Sequence, residues 1–205
     1  MEQKIRDRAM NGKFFDLKKE KQDRMINGAL KVFALYGYAH ASTDEIVKEA
    51  GISKGLLFHY FESKLGTYKF VYDYCTRFLV LELSSQSLPE NADLYDGERA
   101  CLTALLNCAQ TYPYLPLFLL NSRQEEVFEA LEVSVAKNTT IREAMDALRT
   151  KIQCTEEEPS GKKKRLLTFT IEGILLGAYR EKAFQATMVL EQVEEYIEYL
   201  REHFG

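Results

Sequence analysis

Between Ser42 and Lys64 the chain reads STDEIVKEAGISKGLLFHYFESK, and its polar residues fall where two short helices would present them to a phosphate backbone. Ser42 is followed three residues on by Glu45, the spacing of a capping box: the Ser hydroxyl accepts the N3 amide hydrogen and the Glu reaches back to the N-cap. Ala50-Gly51 interrupts this helix, and Gly51 can take the positive φ that a tight turn needs. Ser53 offers a second N-cap, and Leu56, Leu57, Tyr60 and Phe61 supply apolar positions for a second short helix. Two short helices joined by a Gly-containing turn make a helix-turn-helix over Ser42–Phe61. Such a second helix enters the major groove of DNA N-terminus first, so its early amides and side chains meet phosphates and base edges. Lys54 can pair with a phosphate or a guanine edge, and Gly55, lacking a side chain, lets the DNA backbone approach closely. Thr43 can bond a phosphate through its hydroxyl, and His59 and Lys64 can reach phosphates on the flank. Taken singly, each of these residues is an ordinary cap, a solvated charge or a turn glycine. In this order and at this spacing they form an interface.

The elements that must carry this interface are helical. Met25, Ile26, Ala29, Leu30, Phe33 and Ala34 recur at three- and four-residue steps, which predicts an amphipathic helix over about Leu17–Tyr36 that stops at Gly37. A long helix is expected from Lys64 to about Leu83, with Tyr68, Val71, Tyr74, Cys75, Phe78 and Leu79 on its apolar side. SSQSLPENADLYD breaks it. Helical patterns follow at about 96–111, 122–137 and 139–153, with a kink at Tyr112–Pro116 after the first. Thr155–Lys164 is a charged connection, and two last helices are expected at about Arg165–Lys182 and Thr187–His203. No stretch combines strict alternation with β-branched residues, and there is no internal repeat, so the chain reads as all-α. The expected organisation is a DNA-binding domain over residues 1–64, a three-helix bundle with the helix-turn-helix, and a larger helical domain over 65–205.

The stretch FALYGYAHASTDEIVKEAGISKGLLFHYFESK resembles the N-terminal part of the tetracycline-repressor (TetR) family of transcriptional regulators, over about residues 18–66. In that family a helix ends in Gly, a Thr/Ser-rich N-cap follows, and then come an Ala-Gly-Val/Ile-Ser-Lys-Gly turn, an aromatic-His-Tyr-Phe end and a Ser-Lys pair. The resemblance implies that Thr43, Lys54, Gly55, Phe58, His59 and Lys64 touch DNA and that Ile46, Val47, Leu57 and Phe61 are core. Ser42 and Ser53 join the interface as the two helix caps. Leu56 stands where the family often has Thr or Ser, and could meet a thymine methyl; Phe58 stands where Tyr is usual and lacks a hydroxyl for a phosphate.

The resemblance also implies a helical second domain that binds a small molecule and forms a homodimer. Of the chain's 12 Tyr and 12 Phe, many lie beyond residue 64, and they either fill a core or line an apolar pocket. The pocket candidates are Phe70, Tyr74, Phe78, Tyr112, Phe118, Phe128 and Phe169, with Cys108 and with Glu172 inside the apolar run TFTIEGILLGAY. For dimerisation the candidates are two stripes, Ile171, Leu175, Leu176 and Tyr179 beside Gly173 and Gly177, then Val189, Val193, Ile197 and Leu200. A two-fold dimer would set its recognition helices about 34 Å apart on a pseudo-palindromic operator. Ligand would shift the population away from that spacing, with Lys64–Leu83 as lever.

Composition bounds these readings. Hydrophobic residues make up 46% and charged residues 28% of 205, ordinary for a globular chain, and no apolar run nears the roughly 18 residues of a membrane span. Net charge is −4, yet residues 1–64 hold 12 Lys+Arg against 9 Asp+Glu and the remainder 15 against 22, so the basic part is the part expected on DNA. The N-terminus has no secretory h-region, which makes the cytoplasm the expected compartment. Cys75, Cys101, Cys108 and Cys154 are far apart without a C-x-x-C pair, so no metal, cofactor or disulfide is expected. With only His40, His59 and His203 and no nucleophile–base motif, an enzyme is not expected either. Two DNA-binding roles remain: a ligand-responsive regulator, most often a repressor, or a nucleoid-associated or cell-division factor of the same fold without an effector.

Overall fold

The computed structural model describes residues 13–150 and 161–204, and among these there are helices and no strand. In chain order they are α1 Lys19–His40, α2 Thr43–Ala50, α3 Lys54–Phe61, α4 Lys64–Ser85, α5 Leu94–Thr111, α6 Leu115–Asn121, α7 Phe128–Arg149, α8 Lys162–Arg180 and α9 Ala186–Phe204, with a 3₁₀ turn at Ser122–Gln124. The all-α expectation holds.

Four boundaries differ from the sequence expectation. At Gly37 the backbone leaves the helical region (φ 67, ψ 172), but a further turn carries α1 on to His40. The two helices expected at 122–137 and 139–153 are the single helix α7 as far as Arg149, since neither Gly nor Pro stands near Asn138 to divide them; residues 151–153 lie outside the described residues. The expected kink at Tyr112–Pro116 opens a separate short helix, α6, whose first turn holds Pro116, where the missing N–H costs no hydrogen bond. Lys162–Lys164, expected in a connection, form the first turn of α8; residues 155–160 are outside the described residues.

The chain falls into two compact units. One comprises the chain up to Thr76 together with Thr111–Asn138; the other comprises Arg77–Gln110 and the chain from Thr139 onward. In the first unit Ile26, Leu30, Phe33, Ile46 and Leu57 are fully buried. Phe33 meets Tyr68 edge-on at 5.0 Å, and Phe118 meets Tyr72 at 4.7 Å. Both of these phenols are satisfied: Tyr68 Oη pairs with Ser134 Oγ at 2.8 Å, and Tyr72 Oη pairs with Ser122 Oγ at 2.7 Å and donates to Asn138 Oδ1 at 3.0 Å. Burial pushes the Tyr72 phenol up to about 12, so it stays a neutral donor that fixes α4 against the 3₁₀ turn and α7.

In the second unit α8 and α9 pack together, and the α9 stripe Val189, Val193, Ile197 and Leu200 is buried within the chain. This stripe was expected to face a second subunit; here it builds the chain's own core. The C-terminal end of α9 is tied to the start of α5, where Arg201 Nη2 lies 2.9 Å from Asp93 Oδ1 and 2.8 Å from Asp96 Oδ1. Asp93 and Asp96 also cap α5 reciprocally, each carboxylate accepting the other's amide. Deeper in the unit, buried Glu98 takes a two-pronged bond from Arg149, at 2.7 and 2.9 Å. Fork-to-carboxylate geometry is what lets such a charge be buried at all.

Candidate nucleic-acid interface

Two helices of only eight residues cannot stand on intrinsic propensity, so their ends and their packing decide whether they form. Ser42 is extended (φ −105, ψ 136) and its Oγ accepts the Asp44 amide at 3.1 Å, which makes it the cap expected, although through the second rather than the third helical amide. At the other end Gly51 takes the left-handed conformation (φ 62, ψ 43), and the Gly51 and Ile52 amides close on the carbonyls of Lys48 and Val47. Ser53 starts the next helix with its Oγ accepting the Leu56 amide at 3.2 Å. The turn and both serine caps read from the sequence are therefore present as hydrogen-bonded structures, while the return bond expected from Glu45 to the Ser42 amide is not among those the described residues make.

Packing then fixes which way the second helix faces. Leu57, Tyr60 and Phe61 point inward, and Phe61 lies against Phe14 and Phe70 with ring centroids 5.5 and 4.8 Å apart. With those positions committed to the core, Lys54, Gly55 and His59 are exposed and Leu56 and Phe58 are half-buried. A Cβ placed on Gly55 would meet nothing within 4 Å, so the open approach expected there exists. The first helix is held against α1 by a different device. A Cβ on Gly28 would stand 2.8 Å from the Ala50 nitrogen, so the absence of a side chain lets α1 and the end of α2 come together. Lys31 Nζ to Glu49 Oε2, at 2.7 Å, crosses the same junction at its exposed edge.

The expected contact residues are not equally free. Lys54 Nζ is paired with the Asp44 carboxylate. Lys64, expected to reach a flanking phosphate, donates to the carbonyls of Tyr38 (2.9 Å) and Ala41 (3.3 Å) and lies over the Tyr38 ring at 4.4 Å. Its ammonium thereby ties the start of α4 to the end of α1. The same Tyr38 is gripped from the other side: its amide donates to Glu125 Oε2 at 3.0 Å and its hydroxyl to Glu129 Oε1 at 2.6 Å. Burial and the Glu129 carboxylate both raise the Tyr38 phenol, which keeps its proton and its donor role. Nothing in the spacing of Tyr38, Glu125 and Glu129 announced this joint.

The nine pocket candidates are distributed over both units, five in the first and four in the second. Phe70 is buried beside Phe14 at 4.7 Å, and Phe118 is buried between Tyr68 and Tyr72. Tyr112 donates to Asp23 Oδ1 at 2.7 Å, and Lys19 on α1 reaches both Tyr74 (3.2 Å) and Tyr112 (3.1 Å). Phe128 stands 73% exposed. In the second unit Cys108 is fully buried, with its thiol pushed up to about 12 by burial, while Phe78 and Glu172 are half-buried and Phe169 is 62% exposed. Among the described residues no group of His, Cys, Asp and Glu could hold a metal ion, and no helix is long and apolar enough to cross a membrane.

Residues 25–66, which run from the second turn of α1 through the start of α4, match the family model described as bacterial regulatory proteins, tetR family. Over 181 residues the chain is 24% identical to the uncharacterized HTH-type transcriptional regulator YxaF of Bacillus subtilis (strain 168), covering 85% of this chain and 93% of that protein. YuxN, another such regulator of the same bacterium, is 52% identical over 46 residues, 22% of this chain and 16% of its own length. Among solved structures, the fatty acid degradation regulator FadR from Bacillus halodurans shares the fold with a TM-score of 0.60 at 17% identity, covering 85% of this chain and 96% of that one. A transcriptional regulator from Rhodococcus sp. Rha1 does so at 0.57 and 20% identity, over 90% and 97%.

Proposed function

This chain is a transcriptional regulator of the tetR family with a DNA-binding helix-turn-helix, and we propose that it is a ligand-responsive repressor that binds a pseudo-palindromic operator as a homodimer. The observation that carries the proposal is the build of α2 and α3: two capped helices around a left-handed glycine, their apolar faces buried and Lys54, Gly55 and His59 turned outward. In the proposed complex Lys54 reaches a guanine edge or a phosphate, and Ser42, Thr43, Ser53, Phe58, His59 and Lys64 line the DNA, Lys64 exchanging a carbonyl for a phosphate. Leu56 meets a thymine methyl. The division of labour follows the chain, with residues 1–64 for DNA and 65–205 for effector and partner. No catalytic role is proposed, and the place of action is the cytoplasm.

The proposed dimer uses the outer face of α8 and α9. Phe169, Met188, Tyr196 and Tyr199 are more than half exposed there, and a Cβ on Gly173 or Gly177 would meet nothing within 4 Å. A large exposed apolar face beside small residues favours a second copy of the same face. For the effector, the proposed class is a small apolar or amphipathic molecule. Tyr74 and Tyr112 support a route to DNA, because their hydroxyls bond Lys19 and Asp23 on α1, and a molecule competing for those hydroxyls would loosen α1.

Titration of a genomic fragment library by polarisation or gel shift tests the proposal. It expects tight binding to one or a few palindromic sites with a steep negative salt slope; absent or salt-insensitive binding would overturn it. Lys54→Ala is expected to weaken binding by about 1–3 kcal/mol if Lys54 contacts a base, and by less if it touches phosphate alone. Release of DNA by candidate small molecules tests the effector separately.

A further inference from the structure

Asp44 and Lys54 form a two-pronged pair across the turn of the helix-turn-helix, with Nζ 2.8 Å from Oδ1 and 3.1 Å from Oδ2. Asp44 is the second residue of α2 and Lys54 the first of α3, and both side chains are about half exposed or more. The two helices do not depend on this pair for their packing, since Ile46, Ala50, Leu57 and Phe61 do that work on the opposite faces. An ion pair in solvent adds little to stability. Its position matters more, because it occupies the cation that stands at the tip of the recognition helix.

An ammonium has three donors and no acceptor. Two of its directions are spent on the Asp44 oxygens, which leaves one. A phosphate offers the same charge and the same kind of oxygen as the carboxylate, so for Lys54 a phosphate contact is an exchange with small net gain. A guanine edge differs: O6 and N7 accept without bringing a full negative charge, so the remaining donor can be shared while Asp44 keeps its hold.

We propose that Asp44 is a specificity-determining residue: it withholds Lys54 from phosphates and aims its ammonium at a guanine edge, so that binding to DNA at large falls more than binding to the operator. The proposal rests on the DNA-binding reading above, and in particular on Lys54 lying at the DNA.

Asp44→Asn keeps the shape and removes the charge, on an exposed position where folding is not at stake. The full-length chain, Asp44→Asn, Lys54→Ala and the double variant are titrated against two probes: a short mixed-sequence duplex, and the tightest duplex that the unaltered chain retains from a randomised pool. Asp44→Asn is expected to bind the mixed duplex about two- to fivefold more tightly, with a salt slope steeper by up to about one unit as Lys54 joins the phosphates. The retained duplex gains less, so the ratio between the probes falls. In the Lys54→Ala background the gain disappears. Three results overturn the proposal: no gain, an equal gain on both probes, or a gain that survives in the Lys54→Ala background, which would be bare repulsion by Asp44. If Lys54→Ala leaves both probes unchanged, Lys54 is not at the DNA and the proposal falls while DNA binding stands; if the unaltered chain binds neither probe, the DNA-binding reading itself falls.

Discussion

α2 and α3 are eight residues each, α8 and α9 nineteen, and the two pairs are held by different means. The short pair depends on its ends. Ser42 and Ser53 satisfy first-turn amides, Gly51 closes the turn in a left-handed conformation, and Gly28 lets the neighbouring helix come close enough to bury Ile46. The long pair depends on its faces. Leu167 and Leu175 are buried while Leu166 and Phe169 are exposed, and Val193 and Ile197 are buried while Tyr196 and Tyr199 are exposed. At nineteen residues these helices lean less on their caps, so apolar residues can be spread round them without deciding which side turns inward. The DNA-facing pair is therefore specified atom by atom, and the pair proposed to meet a second subunit only stripe by stripe.

The largest test of that contrast is Gly28→Ala. Its Cβ would press on the Ala50 backbone, which cannot swing aside as a side-chain tip could. The expected cost is about 1–3 kcal/mol of overpacking, read from denaturant or thermal unfolding. Next is Ser53→Ala, expected to cost about 1 kcal/mol through the lost bond to the Leu56 amide. Both should weaken DNA binding along with stability. If Gly28→Ala proves neutral, the approach of α1 to α2 is looser than the contrast requires.

This difference also explains what was legible in the sequence. Caps and turns are written locally, so Ser42, Gly51 and Ser53 announced themselves, and the all-α fold followed from periodicity. Pairings between distant segments leave no such trace. Tyr38 with Glu125 and Glu129, Lys64 with the carbonyls at the end of α1, and Asp44 with Lys54 each join residues whose neighbours give no sign of it. Glu62 is a sharper case. It sits at φ 62, ψ −41 between α3 and α4, with the Ser63 amide reaching the Phe61 carbonyl at 2.6 Å, a γ-turn geometry for which Glu carries no propensity. The α9 stripe was visible as a stripe, but Val189, Val193, Ile197 and Leu200 look the same in sequence whether they meet the chain's own core or another subunit.

Gly173→Ala reverses the sign of the first test. With nothing within 4 Å of its Cβ, the change should raise helix propensity and stabilise the isolated chain by about 0.5–1 kcal/mol. On the proposed dimer face the same methyl would hold the partner off. Unfolding at low protein concentration should therefore show a higher Tm, and sedimentation should show weaker self-association. A stabilised chain that associates as before would place the dimer contact elsewhere on α8 and α9.

The smallest effect expected is electrostatic, in the second unit, where Arg201 holds the capping pair of α5. Burial works against the charge of Asp93, but the bonds it accepts from Arg201 and the Asp96 amide, with the nearby guanidinium, outweigh that and hold its carboxyl below the usual value. A carboxyl depressed on folding stabilises the fold above its unfolded pKa, about 3.9, and gives that up as pH falls through the lower folded value. Asp93→Asn keeps a good cap, so it isolates the charge. The variant should be less stable than the unaltered chain at pH 7, by no more than a few tenths of a kcal/mol because the pair is partly solvated. That gap should stay level down to about pH 4 and close below it. A gap that persisted at pH 2 would assign the loss to cap geometry, and the joint of α9 to α5 would then be held at its ends, as α2 and α3 are.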